Sequence, residues 1–162
     1  MLYRADRIAS FMTGMFKVSN PSEARGTQVT AREILDKASG NITAGLVSDP
    51  LFQAQMMQVM GEVYVNLGLF SRPESLLRQA AQIRNRLLGP EDRVTLQSKH
   101  ALAVNLYEQG RYADTEELLG QTIEIERRLL GLEHPTTLSS MNTLANAFTA
   151  DGRHAEAEAL HR

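Results

Sequence analysis

The sequence predicts an all-α fold, a solenoid of antiparallel helix pairs. Three observations carry that prediction. The chain repeats itself every 42 residues, glycines punctuate the repeat at two fixed places, and apolar residues between them recur at three- and four-residue steps. Gly68-Leu69-Phe70, Gly110-Arg111-Tyr112 and Gly152-Arg153-His154 share one register, and Gly89-Pro90-Glu91 and Gly131-Leu132-Glu133 share a second. Residues 89–120 laid over 131–162 give 12 identities in 32 positions, where unrelated sequence gives roughly two. Units of this period bury one face each and must stack on their neighbours to complete a core.

The elements follow in order. A short helix from about Tyr3 to Phe16 shows Ile8, Phe11, Met12, Met15 and Phe16 on one face, and Ser19-Asn20-Pro21-Ser22 is a turn-rich linker. Thr30 to about Val47 reads as a helix with Ile34, Leu35, Ala38, Ile42 and Leu46 on its stripe. Thr30 is its N-cap, and Glu33 completes a capping box. Gly26 lies 42 residues before Gly68, which puts this helix in the second slot of a degenerate leading repeat.

Residues 51–67 carry Leu51, Ala54, Met57, Met60, Gly61 and Tyr64 as an amphipathic stripe, ended by Gly68. Pro73 falls in the first turn of the next helix, whose stripe is Leu76, Leu77, Ala80, Ile83, Leu87 and Leu88, ended by Gly89-Pro90. The pair recurs at 93–109 and 112–130. A third begins at His134-Pro135, turns at Asp151-Gly152 and restarts at Arg153. Gly61, Ala103 and Ala145 recur as small residues at one contact point, each followed three residues later by a large one: Tyr64, Leu106 and Phe148. A small side chain beside a large one lets antiparallel helices approach closely. The expected organisation is an N-terminal helix and linker over 1–29 and a repeat domain over 30–162. That domain holds a leading half-repeat at 30–48 and repeats at 51–88, 93–130 and 135–162, the last truncated as in a piece of a longer protein.

Composition narrows the function. A net charge of −2 argues against a nucleic-acid footprint, no apolar run approaches the roughly 20 residues that span a bilayer, and the start lacks the order of a signal peptide. Absence of cysteine excludes disulfides and thiolate metal sites. No phosphate loop or nucleophile elbow is present, so neither an enzyme nor a cofactor is expected. His154, Glu158 and His161 are spaced to converge on one helix face as metal ligands. However, His154 and His161 fall where the repeat elsewhere puts the packing residues Tyr112 and Leu119, and no metal is expected there. The methionines, Met56 and Met57 among them, read as core, with a promiscuous surface as the lesser alternative.

These residues resemble a tetratricopeptide repeat of the long, kinesin-light-chain-like type. Leu130-Gly131-Leu132-Glu133-His134-Pro135, Thr137-Leu138, Asn142 with Leu144-Ala145, and Gly152-Arg153-His154 match its elements. The preceding copy matches with Leu88-Gly89-Pro90-Glu91-Asp92, Thr95-Leu96, Leu102-Ala103 and Gly110-Arg111-Tyr112. There Asp92-Arg93 stands in place of the family's histidine–proline pair, which should loosen the loop, and the copy at 51–88 keeps only the helix spacing and Gly68. The resemblance implies a right-handed superhelix whose first helices line a concave peptide groove. The inward positions it implies are Gln55, Gln58 and Glu62, then Gln97, His100, Val104 and Tyr107, then Ser139, Asn142, Asn146 and Thr149. Amide side chains suit a peptide backbone's unpaired groups, and Asn142 and Asn146 share one helix face. The basic clamp that some members use on C-terminal carboxylates is not evident. Residues 16–36 separately resemble the repeat region of bacterial receptor-like proteins with a serine/threonine kinase domain. The expected function is a module that binds a protein or peptide partner, with no nucleic acid and no membrane insertion by this segment. The alternative is a self-associating structural or regulatory segment of such a kinase, homo-oligomeric through the exposed terminal repeat.

Overall fold

The computed structural model describes residue 13, residues 31–46 and residues 48–160. The N-terminal helix at 3–16 and its linker, the Thr30 cap and His161 therefore lie outside the described residues, apart from helical Thr13. Every regular element among the described residues is helical: α1 Ala31–Gly45, α2 Pro50–Asn66, α3 Glu74–Leu88, α4 Arg93–Glu108, α5 Tyr112–Leu130, α6 Pro135–Ala150 and α7 His154–Leu160. The chain divides into two units at residues 47 and 48, so α1 groups with the first unit whereas the 42-residue period had placed it with the repeats. Within α1, Ala38 and Ile42 are buried.

In the second unit each helix packs on the next, and α2 also touches α4 while α4 touches α6. The first helices of successive pairs are thus direct neighbours. Asp49, Asp92 and His134 start these three helices alike. The Asp49 carboxylate accepts from the Phe52 amide at 3.1 Å, the Asp92 carboxylate from the Val94 amide at 2.8 Å, and His134 Nδ1 from the Thr136 amide at 3.2 Å. The departure at Asp92-Arg93 thus keeps a capped helix start, and Arg93 reaches across to His134, 2.9 Å from its Nε2. Each first helix turns back at a glycine of left-handed conformation, φ 72° at Gly68, 74° at Gly110 and 80° at Gly152, which a side chain at these positions would strain.

Leu77, Leu102 and Leu106 form the core between the first and second pairs. Ala103, Leu119, Ile123, Leu144, Ala145, Phe148 and Ala157 form the next. At Gly61 the fit is tightest: an added Cβ would lie 2.5 Å from a Leu77 methyl carbon. The expected close approach of neighbouring helices occurs there, with Leu77 of α3 rather than Tyr64 as the large side chain against the glycine. Met56 and Met57 are both buried, which removes the surface reading of them.

The α3 stripe needs correction at its end. Leu76, Leu77 and Ala80 are buried as expected, but Leu87 and Leu88 are exposed at 47% and 38%, and Arg84 is buried at 6%. The long arginine stem packs inward while its guanidinium finds Gln58 and Ser98. On the outside two ion pairs recur at one register. Arg111 reaches Glu74 at 2.8 Å and Arg153 reaches Glu116 at 2.5 Å, each joining one pair to the next.

Candidate functional site

The face shared by α2 and α4 is built by side chains about one turn apart. Gln58 and Glu62 project from α2, and Gln97, His100 and Val104 from α4. These five of the eleven expected groove residues line one cleft of about 560 Å3. Its other walls are Val65, Asn66, Leu77, Ala101 and Thr136. Leu77 belongs to a second helix and reaches the cleft beside Gly61, where a missing Cβ leaves room for it. The resemblance supplied only first-helix residues, so Leu77 was missed. The signal that could have found it was the glycine among the alanines Ala103 and Ala145.

A buried relay fixes the polar wall. Arg84 donates to the Gln58 amide oxygen and, at 2.5 Å, to the Ser98 hydroxyl. Ser98 in turn donates to the same Gln58 oxygen at 3.0 Å. The Gln58 amide nitrogen is left to donate outward to a Glu62 carboxylate oxygen at 2.8 Å. The amide orientation is set from beneath, and the carboxylate is set by the amide.

His100 is half-buried, and the Ser139 and Thr143 hydroxyls of α6 each lie 3.4 Å from its Nε2. Burial lowers its pKa, opposed by Ser139 and the nearby Glu62 charge, so the imidazole is neutral at pH 7. The cleft therefore offers amides, hydroxyls and one carboxylate over an aliphatic floor, which suits noncovalent recognition of an extended segment.

The remaining expected residues lie apart from this cleft. Ser139 touches it only through His100. Asn142, Asn146 and Thr149 are exposed on α6, and Thr149 uses its hydroxyl on the Ala145 carbonyl at 2.9 Å. Gln55 and Tyr107 are half-buried, with the Tyr107 ring 6.0 Å from that of Tyr112. A smaller cleft of about 310 Å3 lies among α3, α4 and α5 and carries Arg78, Arg111 and Asp114, whose charges are paired among themselves and with Glu74. Among the described residues no three histidine or acidic side chains stand close enough to hold a metal ion, and His154 and Glu158 are exposed. No helix among them is long and apolar enough to cross a membrane.

Comparison with known proteins adds the family. Two tetratricopeptide repeat models match, one over residues 53–93 and one over 95–162. No curated protein matches the chain. Among solved structures, a kinesin-light-chain-like protein of Podosopora anserina with nearly identical TPR-like repeats matches with a TM-score of 0.71 and 26% identity, over 95% of this chain and 71% of its own. A point variant of that protein matches with a TM-score of 0.68 and 29% identity, over 80% of this chain. This chain spans 61% of the variant's length. The family matches begin at residue 53, so the stretch at 16–36 that resembles receptor-like kinases is not covered by them. Tetratricopeptide repeats are a non-catalytic scaffold that binds protein partners. The chain belongs to the tetratricopeptide repeat proteins, and its structural neighbours are of the kinesin-light-chain-like kind.

Proposed function

We propose that residues 48–162 hold an extended segment of a partner protein in the groove along α2, α4 and α6. The observation that carries this reading is the cleft of about 560 Å3 between two successive repeats, where Gln58, Glu62, Gln97, His100 and Val104 meet. Its amides and hydroxyl can both donate to and accept from a peptide's unpaired backbone groups. The exposed amides Asn142 and Asn146 continue the same face on α6. Affinity capture from source cells, wild type beside a Val104→Trp, Asn142→Ala, Asn146→Ala variant, tests it. A partner held by wild type and lost by the variant supports the groove. Partners retained in full by the variant move the site elsewhere.

Self-association is the second reading, and one observation favours it. Leu138 is 49% exposed, whereas Leu96, at the same register one repeat earlier, is 1% exposed. An apolar position of this kind suits stacking against a further helix pair or a second copy. Sedimentation velocity across a wide concentration range, with Leu138→Lys as control, separates the two. A concentration-dependent dimer abolished by the variant supports stacking, and a monomer throughout opposes it.

A further inference from the structure

We propose that the groove selects a partner segment carrying a lysine or arginine side chain, and that the Glu62 carboxylate receives it. The inference rests on the groove reading above and names the partner chemistry. Of the residues lining the cleft, Glu62 is the one that carries a full charge, and among the described residues it forms no ion pair. Its single hydrogen-bond donor is the Gln58 amide. That amide cannot turn away, because its oxygen is engaged by Arg84 and Ser98 beneath the surface. The carboxylate is thus held in place at the cleft wall before a ligand arrives, which reduces the ordering cost of binding.

The surroundings select the same chemistry. Leu77, Val65, Ala101 and Val104 supply an apolar floor on which the methylene stem of a lysine or arginine can lie while its head reaches Glu62. An acidic segment would meet Glu62 with no cation lining the cleft to offset it. The outer cleft differs in carrying cations, Arg78 and Arg111, that are bridged to Glu74 and Asp114, beside a further carboxylate, Glu117.

The test uses the full chain and a random-peptide phage library, selected against wild type, Glu62→Gln, Glu62→Lys and Val104→Trp. Glu62 is exposed, so its variants should keep the wild-type helical circular dichroism. In wild type the selected peptides should carry lysine or arginine at one fixed position and lose binding to Val104→Trp, which fills the cleft. A synthetic copy of the best peptide should bind about fivefold more tightly than its analogue with glutamate at that position. Glu62→Gln should remove the preference and Glu62→Lys should reverse it. Peptides that depend on Val104 yet show no basic preference, or keep one in Glu62→Gln, overturn this inference and leave the groove reading standing. If no peptide is selected, or none depends on Val104, the groove reading falls and this inference with it.

Discussion

Arg84 on α3 and Glu126 on α5 stand 42 residues apart at one register, and both are buried, at 6% and 0% exposure. Their surroundings also correspond: Gln58 and Ser98 near the first, His100 and Ser140 at the equivalent positions near the second. The outcomes differ. Arg84 donates to both of its neighbours. The carboxylate oxygens of Glu126 have no hydrogen bond of ordinary geometry, although the Ser140 hydroxyl lies near enough to favour the charged form slightly. Burial outweighs that and raises the Glu126 pKa. Two repeats of one backbone plan thus meet their neighbours through different chemistry. The first interface is tied by a satisfied network that also orients the groove, and the second carries a buried acid that folding must desolvate.

The sharpest way to break this comparison is to substitute the two positions in parallel. Arg84→Ala removes a packed stem and the donor to Gln58 and Ser98, and should lower stability by about 3 kcal/mol. Glu126→Gln keeps the shape and removes the charge, and should raise stability by about 1 kcal/mol. Urea denaturation measures both. A loss of similar size at the two sites would mean that Glu126 is as well satisfied as Arg84.

Next in size is the close approach that belongs to the first pair alone. Gly61→Ala drives a methyl group against Leu77, where Ala103 and Ala145 are already accommodated in the later pairs, and should cost about 2 kcal/mol. Because Leu77 lines the cleft, the substitution should also weaken ligand binding. An unchanged thermal midpoint would show that Leu77 has room to move.

The pH dependence separates the interfaces more finely. Between the ordinary carboxylate value of 4.5 and the raised folded value, the folded protein keeps a proton on Glu126 that the unfolded chain has released. Stability therefore falls as pH rises through that window and levels off above it. His100 acts in the opposite sense. Its folded pKa lies below the ordinary 6.5, so stability falls as pH drops below 6.5, where the unfolded chain takes up the proton first. Denaturation of Glu126→Gln across this range should show an advantage over wild type that is absent at low pH and grows as pH rises. An advantage independent of pH would refute the assignment. The smallest effect is expected at the outer ion pairs. Arg111→Ala and Arg153→Ala remove half-exposed bridges at one register, to Glu74 and Glu116, and Arg153 also lies over the Phe148 ring at 4.3 Å. Both effects should fall below that of any buried change and shrink in high salt, with Arg153→Ala retaining the larger effect there, as thermal melts at two ionic strengths will report.

Much of this architecture was legible because helix pairs write their period into glycines and apolar stripes. Gly68, Gly110 and Gly152 marked turns that the backbone indeed makes in the left-handed region, and the α5 bounds follow directly from Tyr112 and Gly131. What the stripe could not reveal is where polarity is buried. Arg84 lies one residue beyond Ile83 and looks like an exposed charge, yet the neighbouring pair supplies its partners. Asn105, a polar residue beside the apolar Leu106, is fully buried and donates to the Phe70 carbonyl at 2.9 Å, which secures the turn after α2. Both depend on contacts 35 or fewer residues away that no local pattern encodes. Among the cleft residues, the family pattern located Gln58, Glu62, Gln97 and His100 of the polar wall and Val104 of the floor, but not Leu77, which belongs to the adjacent helix.

The groove is tested most directly by a photocrosslinking residue placed inside and outside it. Benzoylphenylalanine at Val104, in the cleft wall, should crosslink a discrete partner in source cells, and the same group at exposed Glu124 on α5 should not. Crosslinks from Glu124 with none from Val104 would contradict the account and place the partner on the outer helices.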